Sequence, residues 1–516
     1  MSDGFWKTAA ANPDLLAVVD PDGNEITAGA LLADANRLVH GLRALGLQPG
    51  DGIACTLPNG IPMFALYFAA MQSGWYITPI NHHLVGPEIA YIVNDCEAKV
   101  YVTHERFRDA SEQAAKELTI PADHLFAIGD VAGFRDFAEL SAGQPDTLPD
   151  DRLAGAAMHY TSGTTGKPKG VRRGLVPMEP DAAGIAFTFL LQLFDIKPLD
   201  DNVHICGSPL YHTAVLAFAG SSMHLGHTVV LMDKWTPEGM LERIERYGVT
   251  HSHMVPTQFH RLLALPEEVR AKYDVSSLRT MIHAAAPCPI DVKRRMIEWW
   301  GPVIYEYYAA TEGGGTKVSP EEWLERPGTV GKAWPTSEIR ILDDDGNDVP
   351  TGASGTVYMK LGMAAFEYFK DKEKTEENRR EGFFTVGDIG FLDDEGYLFL
   401  QDRKSDMIIS GGVNIYPAEI EGELLSHPKI GDVAVFGIPH PDWGEEIKAV
   451  VQPEEGIEPG PELTEEILAF ARGRLAGFKI PKSIDYVAEL PRDPNGKLYK
   501  RLLRERYWEG HDSFVV

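Results

Sequence analysis

Tyr160-Thr-Ser-Gly-Thr-Thr-Gly-Lys-Pro-Lys-Gly170 packs four hydroxyl side chains, three glycines and two lysines into eleven residues. The hydroxyls are Thr161, Ser162, Thr164 and Thr165, and the lysines are Lys167 and Lys169. Glycines let a backbone turn its N–H groups toward an anion, and hydroxyls and ammonium groups add donors. The stretch therefore reads as a loop that holds phosphate. The bland alternative is a flexible Ser/Thr/Gly surface turn. A Walker loop is a different object, with four residues between its glycines and Ser or Thr after the Lys. Here two residues separate Gly163 from Gly166, and Pro168 follows Lys167.

Downstream of this loop the chain alternates strands and helices. Thr228 to Met232 is a short apolar run suited to a buried strand. Thr236 and Pro237 then supply an N-cap and a first-turn proline. Met240, Leu241, Ile244 and Tyr247 share one helical face, and Gly248 ends the helix. A strand over 250–255 follows, then a strand near 279–285, a helix over 289–300 and a strand over 303–308. Such alternation implies a parallel sheet covered on both faces. Past about residue 330 the pattern becomes strand, turn, strand, with turns at Asp343–Asp348 and Asp393–Gly396. The last hundred residues carry their own helices (417–425, 464–474) and strands (432–437, 447–451).

The predicted fold is α/β. A large N-terminal domain over 1–402 holds parallel-rich sheets with helices on both faces and a small antiparallel β subdomain over about 330–402. A small, mobile α+β domain occupies 403–516. The polar segment Gln401–Asp406 is the natural cut between them.

Bulk properties bound the function. The 516 residues carry a formal net charge of -28, which no polyphosphate backbone is attracted to, so nucleic-acid binding is excluded. A local glycine loop with lysines overrides that global field, so a nucleotide pocket is compatible with it. Cys55, Cys96, Cys206 and Cys288 form no Cys-x-x-Cys pair and read as buried free thiols rather than a disulfide framework or a zinc site. Met1–Lys7 lacks a basic segment followed by an apolar one, so no secretory signal is expected. The richest apolar stretch, Met63–Met71, is too short to span a bilayer. A soluble cytoplasmic protein without an integral membrane segment is expected, and the sequence is compatible with a homodimer.

Several further blocks carry chemistry. Pro209-Leu-Tyr-His-Thr-Ala-Val215 places His212 some forty residues beyond the loop. Tyr305-Glu-Tyr-Tyr-Ala-Ala-Thr-Glu-Gly-Gly314 ends a strand in a Thr-Glu pair followed by glycines. Ligands of α/β sheets gather at the carboxyl ends of strands, and a carboxylate there suits Mg²⁺ on a triphosphate. The alternative is that Thr311 merely caps a turn. Thr385-Val-Gly-Asp-Ile-Gly390 sets Asp388 between glycines, which reads as a ribose-holding carboxylate or a plain Asx-turn. Near the end, Asn495-Gly496 makes a tight turn that presents Lys497, usually a solvated position.

Taken with Asp402-Arg-Lys-Ser-Asp-Met-Ile-Ile-Ser-Gly-Gly-Val-Asn-Ile-Tyr-Pro-Ala-Glu-Ile-Glu421, these blocks resemble the acyl-adenylate-forming enzymes: acyl-CoA synthetases, luciferases and peptide-synthetase adenylation domains. Six blocks match in family order from about residue 160 to 500, and the first 150 residues fit less specifically. Two departures stand out. The family's usual Tyr-Gly-x-Thr-Glu is here Tyr308-Ala309-Ala310-Thr311-Glu312, and the pivot, usually Lys or Asp, is Ser405.

The resemblance implies site residues. Thr161, Ser162, Gly163, Thr164, Thr165 and Lys169 would hold phosphates. Ala285, Ala286 and Pro287, with Glu306, Tyr307, Tyr308 and Ala309, would line the adenine slot, and Tyr308 would stack on the base. Thr311 would touch the α-phosphate and Glu312 would bind Mg²⁺. Asp388 would hold the ribose hydroxyls, and Arg403 would contact ribose or phosphate. Lys497 would bridge the attacking carboxylate and the α-phosphate. His212, Thr213, Phe218, Val255, Phe259 and Ala284 would face the acyl group, and Ser410, Gly411 and Gly412 the pantetheine of coenzyme A. These acyl-pocket positions are mostly apolar and offer no cation, which implies a hydrophobic acid. The implied activity is ATP- and Mg²⁺-dependent acyl-CoA synthesis through acyl-AMP. Rival readings are an adenylating enzyme that loads a carrier protein's phosphopantetheine, or an inactive nucleotide-binding regulator. Intact Lys497, Glu312, Asp388 and Arg403 speak against the last.

Overall fold

The computed structural model describes residues 4–161, 168–310, 314–361, 367–370, 376, 378–410, 412–492 and 498–509. The chain divides into two compact units. The first comprises Met1–His253, Glu267–Met281 and Met363–Glu377, and the second Met254–Pro266, Ile282–Gly362 and Asn378–Val516.

The first unit is built on parallel sheets. Six strands pair side by side in the order Arg135–Asp136, Leu125–Ile128, Ala98–His104, Gly52–Cys55, Tyr76–Pro79 and Ala156–Ala157, and every neighbouring pair is parallel. A second run places Leu16–Val19 beside Thr228–Leu231 and then Val203–Cys206, again parallel. Parallel strands need crossovers, and helices such as Thr213–His224 and Pro237–Tyr247 supply them. The helix Pro237–Tyr247 forms for the local reasons the sequence displays. Thr236 Oγ1 accepts from the Gly239 N–H at 3.2 Å, and Gly248 closes the helix in the left-handed region at φ 58°. The apolar stretch around Met63–Met71 is a helix, Ile61–Met71, buried on every side from Met63 onward. Its eleven residues are too few to cross a bilayer, and among the described residues no helix is long and apolar enough to do so. Cys55, Cys96 and Cys206 are buried thiols, and Cys288 is half-buried.

The second unit is mainly antiparallel. Ile304–Ala309 pairs antiparallel with Gly315–Val318, and that strand with Thr329–Ala333. The order continues through Leu398–Arg403, Asp388–Leu392 and Gly355–Leu361, with Ser337–Leu342 also on Gly355–Leu361. Within this unit antiparallel pairing is present from residue 304 onward. Toward the C-terminus, Ile430–His440 and Gly444–Pro453 form one long hairpin, flanked by Ile408–Ser410 and by Ser483–Tyr486. These strands outrun the apolar cores at 432–437 and 447–451 because backbone pairing continues past the last buried side chain. Ile420, Leu424, Val433, Val435, Ile447 and Ile467 make a separate core beneath this sheet.

Candidate active site

In the first unit two strands, His159–Thr161 and Lys169–Arg172, pair antiparallel on either side of the Ser/Thr/Gly segment in the sequence. Glu367–Tyr368 extends that ribbon. The flanks of the loop are tied down. The Tyr160 phenol donates to Asp95 Oδ2 at 2.6 Å, and the Tyr91 phenol donates to the Pro168 carbonyl at 3.1 Å. Burial and the Asp95 carboxylate both push the Tyr160 phenol far above its ordinary range, so it stays a donor. Lys370 Nζ donates to the Asp95 carbonyl at 2.8 Å, which adds a tether on the same helix end. A glycine-rich loop held at both ends loses less entropy when it closes on an anion. Ser162, Gly163, Thr164 and Thr165 lie outside the described residues, as do Thr311, Glu312, Gly411 and Lys497.

His212 is the N-cap residue of the helix Thr213–His224, and its ring lies tilted against Tyr211, with ring centroids 4.3 Å apart. Phe218, on that helix, is 1% exposed and lies 5.0 Å from the His253 ring. Thr213 is half-buried.

In the second unit, Tyr308, Asp388 and Arg403 come together. The Tyr308 phenol donates to Asp388 Oδ2 at 2.6 Å, and Arg403 Nε lies 3.5 Å from Asp388 Oδ1. Asp388 and Arg403 are cross-strand partners, so the sheet register sets their approach. Ala285 takes φ 75°, a left-handed backbone that costs a non-glycine residue about 1–3 kcal/mol and collects at functional sites. It follows the strand Thr280–His283, while Ala284 is buried and Ala286 is half-buried. Ala309 ends the strand Ile304–Ala309, and Pro287 is exposed.

Other sequence-selected residues are turned inward. Glu306 is 6% exposed, and its carboxylate meets Lys293 Nζ at 2.6 Å, with His283 Nε2 at 3.4 Å. Lys293 is wholly buried, with its ammonium 4.7 Å over the Trp323 ring. Burial raises the Glu306 carboxyl, and Lys293 pulls it back down. An ion pair this deep costs desolvation that only good geometry offsets. The Glu306 side chain is thereby committed to this pair. Phe259 is fully buried, against His283 and Trp300, and Val255 and Tyr307 are buried too.

The segment around Ser405 is hydrogen-bonded. The Lys404 N–H donates to the Gly387 carbonyl at 2.8 Å, and Arg504 donates to the Ser405 carbonyl at 3.1 Å. Lys404 and Ser405 are both exposed. Asp402 Oδ2 accepts from the Ala418 N–H at 2.8 Å, at the start of the helix Pro417–Leu424. Gly412 takes φ 78°, where only glycine is unstrained. Ser410 ends the strand Ile408–Ser410.

Sequence reasoning missed Asp95, Arg504 and the pair Lys500–Glu421, whose charges lie 2.8 Å apart in a buried setting. It also missed His82, His159 and His253, which gather around His212. The doubled histidine His82-His83, just past the carboxyl end of the strand Tyr76–Pro79, was the available signal.

Among the described residues no group of three or more His, Cys, Asp or Glu could hold a metal ion. Mg²⁺ on a triphosphate needs only one or two protein carboxylates, since it keeps waters and phosphate oxygens.

Residues 5–369 match the family described as AMP-binding enzyme, and residues 419–497 match the AMP-binding enzyme C-terminal domain. A feruloyl-CoA synthase of Amycolatopsis sp is 33% identical over 98% of this chain and 99% of that protein. A long-chain-fatty-acid–CoA ligase of Mycobacterium tuberculosis is 32% identical over 97% of each. Among solved structures, the anthranilate CoA ligase AuaEII in complex with anthranoyl-AMP superposes with a TM-score of 0.85 at 26% identity, covering 98% of this chain and 97% of that one. A match over most of the length, on a fold that carries the blocks in order, means that the chain belongs to the AMP-binding enzyme family, as an acid–thiol ligase.

Proposed function

We propose that this protein activates a hydrophobic carboxylic acid with Mg·ATP, forming acyl-AMP and pyrophosphate, and then passes the acyl group to the thiol of coenzyme A, releasing AMP. The Tyr308–Asp388–Arg403 arrangement is the observation that carries this reading. A ring, a carboxylate and a guanidinium brought together from three strands of one sheet can accept a base, two vicinal hydroxyls and a phosphate in turn. The Tyr308–Asp388 bond pre-sets the carboxylate, so little order is lost when ribose arrives.

In the first step the carboxylate oxygen attacks the α-phosphorus and the bond to pyrophosphate breaks. Lys497 would hold the carboxylate and the α-phosphate, and Thr311 would contact that phosphate. The loop over Thr161–Lys169 would cradle the leaving pyrophosphate. Glu312 would hold Mg²⁺, which would neutralise charge on the triphosphate. In the second step the thiolate attacks the acyl carbon and AMP leaves with the bonding pair.

The second step needs Lys497 moved aside, so we assign a pivot to Lys404–Ser405 and a domain boundary after residue 402. Exposure supports that assignment: Lys404 and Ser405 lie at the tip of a turn that the Asp406 N–H closes on the Arg403 carbonyl at 3.0 Å, so turning there breaks a few hydrogen bonds and no core packing. Ser410, Gly411 and Gly412 would then meet pantetheine. A surface on the C-terminal hairpin supports a nucleotide-bearing thiol. Trp443 is 45% exposed and stacked on His440 at 4.6 Å, with Lys482 Nζ 5.4 Å from its ring. An exposed aromatic ring beside a lysine suits a purine and its phosphates.

The test is a panel of carboxylic acids with ATP and coenzyme A, read by acid-dependent pyrophosphate exchange and by AMP release. Exchange with at least one acid and coenzyme A-dependent AMP release are expected. No exchange with any acid would overturn the reading, and exchange without thioester would remove coenzyme A as acceptor.

A further inference from the structure

In the second unit a single carboxylate oxygen gathers two buried side chains. Lys293 Nζ donates to Glu306 Oε2 at 2.6 Å, and His283 Nε2 lies 3.4 Å from the same oxygen. His283 and Lys293 are fully buried, and Glu306 nearly so. Buried aromatic rings flank the group. The Lys293 ammonium lies 4.7 Å from the Trp323 ring centre, and Phe259 stands edge-on to His283 at 5.2 Å.

The places of these residues in the chain are informative. His283 ends the strand Thr280–His283, and Lys293 lies in the helix Ile290–Trp300. Residues 284–289 join the two, so the Glu306 carboxylate meets both ends of that segment. Glu306 itself belongs to the neighbouring strand, Ile304–Ala309, which also carries Tyr308. Ala285 comes two residues after His283, and Tyr308 two residues after Glu306. The pairing register runs unbroken from Glu306 to Ala309, so Glu306 and Tyr308 share a face of their strand.

Stability alone does not account for this arrangement. A buried ion pair is often no better than apolar side chains of the same volume, because desolvation offsets the attraction. What it adds is direction: a charge-assisted hydrogen bond fixes distance and angle, which apolar packing leaves looser. The segment between its two ends contains a residue that needs holding. Ala285 sits at φ 75°, and a non-glycine backbone stays there only where its surroundings over-determine it.

We propose that Glu306 is a positioning residue for the nucleotide. Through His283 and Lys293 it fixes residues 284–289 relative to Tyr308, and thereby the seat of the base, without touching the ligand. The inference rests on nucleotide binding beside Tyr308 and Asp388, and it adds Glu306, Lys293 and His283 to the residues that govern that binding.

Glu306→Gln, Lys293→Met, the double variant carrying both, and Glu306→Asp test it. The readouts are melting temperature, KM for ATP and kcat in pyrophosphate exchange, and calorimetric affinity for AMP and for inorganic tripolyphosphate. Each of the first two variants leaves one buried charge without its partner and should melt lower. The double variant removes both charges together and should recover most of that loss. Its KM for ATP is nevertheless expected to stay about tenfold above wild type, with AMP affinity weakened alike. Its kcat should stay within about threefold of wild type and its tripolyphosphate affinity should not change. Recovery of KM and AMP affinity together with melting temperature would overturn the inference, because the pair would then be purely structural. So would an equal loss for tripolyphosphate, which has no base to seat. Glu306→Asp keeps both charges but shortens the reach by one methylene. A wild-type KM for ATP in that variant would overturn the inference whatever the stability of the double variant. Wild-type protein that binds neither ATP nor AMP would refute nucleotide binding itself; normal wild-type binding with unaltered variants would refute the positioning role alone.

Discussion

The Tyr308 phenol donates a 2.6 Å hydrogen bond to Asp388 Oδ2, across eighty residues of sequence. Tyr308 comes from the strand Ile304–Ala309 and Asp388 from Asp388–Leu392, and both are only partly buried. The bond fixes the carboxylate orientation. Arg403 approaches the other oxygen of the same carboxylate.

Tyr308→Phe keeps the ring and removes the bond. It is expected to raise the KM for ATP about tenfold, within the range for a hydrogen bond to a charged group, with little change in melting temperature. Asp388→Asn is expected to cost more, because the ribose acceptor itself is weakened. ATP titrations of pyrophosphate exchange check both, and an unchanged KM in Tyr308→Phe would leave the bond a purely structural one.

Lys497→Ala is expected to slow acyl-AMP formation by about 100-fold or more, through loss of a cation where charge develops. Reaction of supplied acyl-AMP with coenzyme A should be spared. Single-turnover assays of the two half-reactions decide this, and equal damage to both would refute the role.

Glu312→Gln is expected to weaken the use of Mg·ATP while the fold stays intact. The measurement is exchange activity against Mg²⁺ concentration, alongside a melting curve. Wild-type Mg²⁺ dependence would make Glu312 a structural residue.

Ser405→Pro is expected to separate the half-reactions. Proline fixes φ near -65° and also restricts Lys404, so both exposed residues of the turn closed by the Asp406 N–H on the Arg403 carbonyl are constrained. Acyl-AMP formation should survive better than thioester formation. Near-wild-type rates in both, measured on one folded preparation, would place the pivot elsewhere.

Acid should destabilise the first unit earlier than carboxylate titration alone would. Burial holds His159 and His253 near 4 and His204 and His224 near 3, against about 6.5 when unfolded. Between those values the unfolded chain binds more protons, so stability falls as pH drops from about 6.5 toward 4. Each such histidine contributes about 1.4 kcal/mol per pH unit in that window. Melting temperature measured from pH 7.5 to 5 should decline below 6.5, and a flat profile would contradict the buried neutral state.

Much of the fold was legible locally. The helix Pro237–Tyr247 starts and stops where its cap, proline and glycine say, because those signals act within one turn. The site was legible as blocks. The commitment of Glu306 was not, since nothing near it in sequence announces that Lys293 arrives from the preceding helix to bury the charge. The acyl-pocket positions looked apolar for a related reason: His82, His159 and His253 are far from His212 along the chain.

By itself the sequence determined which segments fold as strands, helices and turns, and which family the chain belongs to. Those properties follow from side-chain type and short-range spacing, which are fully present in the linear order. Only the tertiary structure decided that Asp388 is shared by Tyr308 and Arg403, that Arg504 holds the Ser405 carbonyl, and that His82, His159 and His212 meet around Tyr211. Those relationships depend on sheet register and on burial. Both come from packing residues tens to hundreds of positions apart, and no local pattern encodes them.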